Sequence, residues 1–255
     1  GYNLSMGGNE EDFANFSNMS FSGGFKVLDN LKIDGTLRHS STTGGYDSGF
    51  GDVFRGFDVP SDAPNALSSD LWVGRVAATL DSLDGRWVNK AFYGRMVRDL
   101  EATDVSSFGT TFSESWSANS KYGLTSTHYI TGQIERQDEQ FEQATRPQDG
   151  KKERSQIGAV GEIRGEYFDV LNLQGTVRRD DNDTFDDYTT WRASGSLKVP
   201  ATIFRLHASI GTAVKYPSFG ELYGFFSTFR PNAALKAEES QGWDAGVEVS
   251  FLGGR

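Results

Sequence analysis

Apolar and polar residues alternate along most of this chain with a period of two, which is typical of β-strands with two different faces. The clearest case is residues 156–168, where Ile157, Ala159, Gly161, Ile163, Gly165 and Tyr167 share one face and Gln156, Gly158, Glu162, Arg164 and Glu166 the other. The same split returns in residues 31–38, 191–199, 204–215 and 243–251, and noisier forms lie between them. Glycine interrupts nearly every window of helical period, so the pattern predicts about eleven strands and no long helix.

The spacers between the predicted strands alternate in length. The short ones contain Asp, Asn, Gly or Pro, which supply tight bends, and they lie at residues 27–30, 81–85, 167–171 and 200–201. The long ones are polar and rich in Gly or Asp, and they lie at residues 40–69, 102–113, 140–154 and 217–239. Transmembrane barrels sort their connections in this way, with short periplasmic turns and long extracellular loops. The spacing therefore favours an antiparallel up-and-down β-barrel.

A soluble antiparallel sheet with one hydrated face would alternate as well, so the two structures must be distinguished. The apolar faces use Gly and Ala freely, which a lipid-facing surface allows but a close-packed core between two sheets rarely does. Tryptophans stand near the strand ends, where an interfacial girdle would place them: Trp72, Trp87, Trp116, Trp191 and Trp243. We therefore expect an all-β transmembrane barrel rather than a soluble sheet.

Composition excludes several other classes of protein. No apolar run approaches the roughly 18–20 residues that a spanning helix needs, so a membrane crossing must use strands. Cysteine is absent, which excludes disulfides and thiolate metal sites. The net charge is −10 and the cations are scattered, which argues against nucleic-acid binding. His39, His128 and His207 stand singly and no Ser–His–acid grouping or phosphate loop is present, so no catalytic site is predicted.

The last fifth of the chain carries the most specific motif. Residues 211–224 read GTAVKYPSFGELYG, residues 230–240 read RPNAALKAEES and residues 243–248 read WDAGVE. This series resembles TonB-dependent outer-membrane receptors, in which a strand ends in K-x-P-S-F-x-E-L, a loop leads to N-P-x-L-K-P-E-x-S, and the next strand opens with W-E-A-G-V-E. Ala233 and Ala237 depart from the pattern, because the family usually has proline there.

Weaker similarities to the same family lie elsewhere in the chain. Residues 179–185, which lead into residues 189–192, resemble the family's R-x-D-D-x-S-x-F loop. Residues 1–12 and 38–47 are similar to early barrel strands of the subgroup that carries cobalamin or related chelates.

The resemblance implies a fold and a function. A complete receptor of this family has a barrel of about 22 strands, filled by an N-terminal plug that bears the energy-coupling box. No plug is recognisable in this sequence, so we expect residues 1–255 to form about half of the barrel wall. The implied function is TonB-coupled import of a scarce nutrient chelate, cobalamin-like or siderophore-like, across the outer membrane of a Gram-negative bacterium. A passive porin-like or structural barrel is the alternative, and an outer-membrane enzyme comes third.

The implied partners are the TonB energy-coupling complex, reached through the plug, the chelate itself, and outer-membrane lipid with lipopolysaccharide. The charged rows opposite the apolar faces are expected to face the plug in the lumen: Glu162, Arg164, Glu166, Arg192, Lys198, Arg205, Asp244 and Glu248. A merely hydrated lumen would carry the same residue types, so this assignment has a simpler alternative.

Two further groups are candidates for ligand or metal binding. The densest aromatic cluster is Phe219, Tyr223, Phe225, Phe226 and Phe229, and flat rings suit a bulky macrocycle or chelate, although packing of loop on loop explains them more simply. No cofactor is required, but a flexible oxygen-rich loop can bind calcium, and the candidate ligands are Asp47, Asp52, Asp58 and Asp62. A second acidic run, residues 180–187, raises the same question with less support.

Overall fold

A computed structural model describes residues 2–3, 13–48, 61–102, 107–143, 150–224 and 231–250. Within them the chain forms one antiparallel sheet of 12 strands, in which each strand pairs with the next one in sequence. The elements are β1 (Tyr2–Asn3), β2 (Phe13–Leu28), β3 (Leu31–Ser48), β4 (Ser61–Ser82), β5 (Trp87–Ala102), β6 (Ser107–Gly123), β7 (His128–Gln143), β8 (Lys151–Tyr167), β9 (Leu171–Asn182), β10 (Tyr188–Lys198), β11 (Phe204–Lys215), α1 (Phe219–Tyr223) and β12 (Glu238–Val249).

This up-and-down order confirms the predicted fold class. Strand β1 has only two residues, and the remaining strands have 11 to 22 residues. Among the described residues β12 pairs only with β11, so the sheet is an open wall and not a closed barrel. The part of the chain that the structure describes contains no helix long and apolar enough to cross a membrane.

The predicted long loops were too long, because the strands continue into them. Strand β3 runs to Ser48 and β4 begins at Ser61, although the sequence predicted a loop over residues 40–69. Strands β6, β7 and β8 likewise take up parts of the predicted loops at 102–113 and 140–154. Most residues of these extensions are polar, so the alternation weakens while the backbone ladder persists. Cross-strand side-chain contacts continue as well, for example between the hydroxyl groups of Thr43 and Ser68, 3.2 Å apart.

The strand register collects the predicted apolar positions on one face, which we call the outer face. One row crosses six strands, each residue standing opposite the next: Ile33, Ala78, Ala91, Ala118, Ile134 and Ala159. Ile134 is 58% exposed and Trp243 78% exposed, because no second layer built from the described residues covers this face. Among the described residues the only buried hydrophobic side chains are Ala77, Phe141, Phe219 and Leu222. A soluble sandwich would bury such a face in a core, so lipid is the medium that satisfies it.

The outer face changes character along the strands. All five tryptophans lie on it; Trp87 stands beside a short turn, whereas Trp116 stands nearer the long loops. The next outer position beyond Trp116 is Glu114, which pairs with Arg95 at 3.5 Å. An apolar band that ends in aromatic rings and then in charges is the arrangement of a membrane-spanning barrel wall.

Candidate ligand and lumen surface

The opposite, polar face of the sheet would line the lumen of the barrel, and we call it the inner face. The strand register places every predicted lumen residue on it, in cross-strand rows that run from β8 to β12: Glu162, Arg164, Glu166, Arg192, Lys198, Arg205, Asp244 and Glu248. The shared face is therefore established, whereas contact with a plug stays a prediction.

Several of these residues already have partners within the wall. Gln174 donates a hydrogen bond of 2.7 Å from Nε2 to the carboxylate of Glu162. The guanidinium of Arg205 lies 3.6 Å from the carboxylate of Glu248. The hydroxyl of Ser209 donates to Asp244 and accepts a bond of 3.0 Å from Arg192. Arg205 and Glu248 therefore pair across β11 and β12, while Glu162, Arg192 and Asp244 are hydrogen-bonded to neutral side chains of the wall.

A partly buried ionic cluster lies nearer the long loops on the same face. Arg178 places Nη2 2.5 Å from Glu135 and 2.6 Å from Asp180, which is only 2% exposed. Gln156 donates a further bond of 2.8 Å to Asp180. Gly158 stands between Glu135 and Asp180 in the row, and a Cβ there would come within 2.5 Å of the Arg178 guanidinium. Glycine on β8 therefore lets the side chain of β9 reach β7.

The chain that follows β11 folds back across the inner face, and we call residues 216–224 the strap. Tyr216 is half-buried and stacks on Phe185, with ring centroids 5.3 Å apart. The carbonyl oxygen of Pro217 accepts a hydrogen bond of 2.8 Å from Nη1 of Arg154 on β8. The other side of the same guanidinium holds the carboxylate of Glu139 on β7, through Nε at 2.8 Å and Nη2 at 2.5 Å. The strap therefore reaches from β11 to β7 across the intervening strands.

Helix α1 forms the second half of the strap and starts with a complete capping box. The Ser218 hydroxyl accepts from the backbone N–H of Glu221, and the Glu221 carboxylate accepts 2.8 Å bonds from the Ser218 backbone and hydroxyl. These bonds lower the pKa of Glu221 below its ordinary value of 4.5. Such a cap satisfies N–H groups that a helix start otherwise leaves unpaired.

Aromatic and cationic side chains attach α1 to the wall. Phe219 is 8% exposed, and its ring lies 5.9 Å from that of Phe141 and 4.9 Å from the guanidinium of Arg154. The ammonium of Lys152 lies 5.0 Å from the ring of Tyr223. The strap is thus a packed element on the inner face and not an exposed coil.

The predicted aromatic cluster divides into two parts. Phe219 is buried under α1 and Tyr223 is half-buried, while Phe225, Phe226 and Phe229 lie outside the described residues. The role of all five in ligand binding stays a prediction. The sequence reading missed Arg154 and the helix itself, although the series Ser218-Phe219-Gly220-Glu221 has the S-x-x-E signature of a capping box.

The calcium prediction also stays open. Asp52 and Asp58 lie outside the described residues, and Asp47 and Asp62 are described only as backbone positions on β3 and β4. Within the described ranges no three His, Asp or Glu side chains come together as a metal site. In the second acidic run, Asp180 binds Arg178 and Asp187 pairs with Arg179 at 2.8 Å.

Comparison with known proteins identifies the architecture. Residues 2–255 match the family described as TonB dependent receptor-like, beta-barrel. The siderophore receptor PirA from Pseudomonas aeruginosa superposes with a TM-score of 0.73 at 13% identity, over 94% of this chain and 46% of that one. A mutant ferric enterobactin receptor, PfeA, from Pseudomonas aeruginosa gives a TM-score of 0.74 at 13% identity, over 95% and 41%.

The RagAB peptide transporter also shares the fold, with a TM-score of 0.63 at 12% identity, over 96% of this chain and 40% of that one. The chain spans less than half the length of each of these solved structures. At these identities the structural likeness defines the fold alone.

Proposed function

Because this chain belongs to the TonB-dependent receptor β-barrel family, whose barrels reside in the Gram-negative outer membrane, we propose that the receptor it helps to form imports a siderophore-type iron chelate by TonB-coupled transport. The family consists of transport receptors and not of enzymes, which agrees with the lack of a predicted catalytic site. The observation that carries the proposal is the strap, because it brings aromatic rings and cations together on the inner face near the long loops.

The chemistry of the strap fits a flat, anionic chelate. Lys152 supplies positive charge, since that of Arg154 is already matched by Glu139, and Tyr223 supplies a half-buried ring that precedes residues 225–229 in the chain. Rings give a large contact area at a small entropic cost, and neighbouring cations favour an anionic ligand. Siderophore receptors among the structural neighbours support this class over cobalamin, while the peptide transporter shows that the fold accommodates other cargo.

The test is growth of an iron-limited strain whose own siderophore receptors are deleted and which carries the full-length receptor gene. Ferric enterobactin and a ferric hydroxamate are offered singly as iron sources, and uptake of labelled cyanocobalamin is measured in parallel, each with and without a functional tonB gene. We expect growth on at least one iron chelate that requires tonB. Growth that is independent of tonB would instead indicate a passive barrel, and cobalamin uptake alone would overturn the siderophore assignment.

A variant connects that result to the strap. Tyr223→Ala removes the ring beside Lys152 without touching the Arg154 anchor, so we expect chelate affinity to fall while barrel assembly is retained. Tyr122→Ala, on the outer face far from the strap, is the matched control and should leave affinity unchanged. Equal affinity in both variants would assign the ring to packing.

A further inference from the structure

The end of the sheet at which β2–β3, β4–β5, β6–β7, β8–β9 and β10–β11 connect, here called the turn end, exposes a large apolar side chain at every connection. We call these side chains the turn rim: Leu28, Leu83, Leu124, Phe168 and Ile203. Phe168 is 87% exposed. Turns that meet water ordinarily carry Gly, Asn, Asp or Ser, whereas exposed apolar groups gathered along one edge mark a contact surface.

Two residues of the turn rim have a backbone conformation that bulky side chains avoid. Leu83 and Phe168 both have a φ of 56°, in the left-handed region. There the Cβ atom crowds the backbone, so glycine or asparagine is the usual occupant. Turn geometry alone therefore does not account for a leucine and a phenylalanine at these positions, and a contact made by the side chains does.

The height of the lipid-facing band indicates what the turn rim contacts. On the outer face of β5, β6 and β7, the first charged residues toward the long loops are Arg95, Glu114 and Arg136. From these positions to the turns, the described outer face of the same three strands carries no Asp, Glu, Lys or Arg. Glu114 and Leu124 are ten positions apart in the chain, which spans a height of about 25 Å at the usual rise and tilt of a barrel strand. An apolar band of the usual height, about 25 Å, that begins below Glu114 therefore ends at the turn rim.

The turn rim is also continuous with the lipid-facing outer face. Leu28 pairs with Leu31, which stands opposite Leu80 in an apolar row of that face. Leu124 donates a backbone hydrogen bond of 2.8 Å to the carbonyl oxygen of His128, so it closes the β6–β7 hairpin directly below the outer face. No polar row separates these side chains from the lipid-facing band, as a separate docking surface for a periplasmic protein would require.

Charged groups accompany the apolar side chains at the tips of the turns. An exposed aspartate directly follows Leu28, Leu83 and Phe168 in the chain: Asp29, Asp84 and Asp169. The guanidinium of Arg86 lies 5.5 Å from the Tyr122 ring centroid and donates a bond of 3.2 Å to the Tyr122 hydroxyl. A zwitterionic phospholipid headgroup offers an ammonium group to the carboxylates and a phosphate to the guanidinium, whereas a purely anionic headgroup would be repelled by the three carboxylates.

We propose that the turn rim is immersed in the inner leaflet of the outer membrane, at the boundary between acyl chains and headgroups, and that Asp29, Asp84 and Asp169 bind the ammonium groups of zwitterionic phospholipids there. The turns of this wall are then membrane anchors and not periplasmic loops. The inference rests on the barrel fold and is independent of which chelate is imported.

The experiment uses the full-length receptor in phospholipid vesicles, with a nitroxide spin label on a single cysteine. This chain has no cysteine of its own, and any cysteine elsewhere in the receptor is replaced by serine. The label is placed by Phe168→Cys in the turn rim, by Ile163→Cys on the outer face as the lipid reference, and by Lys151→Cys at the long-loop end of β8 as the aqueous control. We expect the label at position 168 to resemble that at 163, with strong relaxation by oxygen and several-fold weaker relaxation by a water-soluble nickel chelate than at 151. Relaxation by nickel as strong as at 151 would mean that the rim lies in water, and weak relaxation by both reagents would mean that protein covers it; either result overturns the proposal.

The role of the carboxylates is tested by a change of headgroup. We expect the label at position 168 to lie deeper in vesicles rich in phosphatidylethanolamine than in vesicles of phosphatidylglycerol. Asp84→Asn with Asp169→Asn should remove most of that difference, whereas Glu166→Gln, which neutralises an inner-face carboxylate beside the same turn, should preserve it. Equal depth in the two kinds of vesicle, or a difference that persists without the two aspartates, would contradict the headgroup assignment. Heat-modifiable migration on gels shows that each variant contains a folded barrel, so a changed depth cannot be ascribed to misfolding.

Discussion

At the scale of single residues, Arg154 of β8 is the side chain on which the packing of the strap depends most. It joins β8 to Glu139 on β7 and to the Pro217 carbonyl, and it covers the Phe219 ring. Only 14% of its side chain is exposed, and 23% of that of Glu139, so these bonds are largely sheltered from water. One guanidinium therefore serves as ion-pair partner, strap anchor and ring cover at the same time.

We expect Arg154→Ala to release the strap. Its charge-assisted hydrogen bonds are lost and Glu139 is left without its cation, at a cost of about 1.5–3 kcal/mol. The measurement is hydrogen–deuterium exchange of residues 216–224 in the full-length receptor, which should become much faster. Arg154→Lys keeps the charge but not the two-sided donation, so partial protection is expected.

The control for this change is Arg136→Ala. Arg136 is also a strand arginine with a carboxylate partner, Asp138, but 56% of its side chain is exposed on the outer face. Exposed pairs contribute roughly 0–1 kcal/mol, so exchange of the strap should remain at the wild-type level. Identical exchange in the Arg154 and Arg136 variants would contradict the anchoring role.

At the scale of elements, α1 is too short to be stable by itself and depends on its cap and its docking. The Glu221 carboxylate accepts more strongly from Ser218 when it is ionised, and its pKa is accordingly lowered. A group with a lowered folded pKa contributes stability above its unfolded pKa and loses it as the pH falls through the folded value. The strap is therefore an element whose order responds to acid.

We predict that exchange of residues 216–224 accelerates as the pH falls below about 4.5, the ordinary pKa of this carboxyl, after correction for the intrinsic pH dependence of exchange. Glu221→Gln should exchange faster at neutral pH and lose most of the additional acceleration. Ser218→Ala should cost about 1 kcal/mol of helix stability at neutral pH. If exchange of the strap accelerates in acid to the same extent in Glu221→Gln, the acceleration comes from the titration of another group.

At the scale of the whole molecule, the two faces of the sheet meet different solvents. Ile163 is 55% exposed on the outer face, and Val160 lies on the inner face of the same strand. We expect Ile163→Arg to cost about 2–4 kcal/mol, because it places a charge in the lipid. Val160→Arg, the matched control, faces water and should cost much less. Urea titration of the receptor in phospholipid vesicles, followed by tryptophan fluorescence, measures both. Equal costs would mean that lipid does not cover the outer face.

The sequence predicts the two faces of the sheet, but it does not predict the strand ends or the individual side-chain contacts, for a physical reason. Alternation follows from the pleat of the strand, so the opposite faces of Ile163 and Glu162 can be assigned from neighbours alone. The polar ends of β3 and β4 lack that contrast, and their lengths were misjudged. The contact between Arg154 and Pro217 joins residues 63 positions apart and follows no period. The sequence places Gly158 on the polar face. The reason for a glycine there is visible only in the structure, where the Arg178 side chain passes over it.

The Arg154–Pro217 bond also has a consequence for the order of assembly. Every hairpin of the sheet can close as soon as its own two strands exist, because each strand pairs with its neighbour in sequence. The strap cannot dock until β7 and β8 present Glu139 and Arg154 and β11 has been added three strands later. Closing so long a loop costs conformational entropy, and only contacts with strands that have already paired can offset this cost. A docked strap therefore indicates that β7–β11 have already paired in register. The time at which trypsin stops cleaving at Lys215 during insertion would measure when this happens.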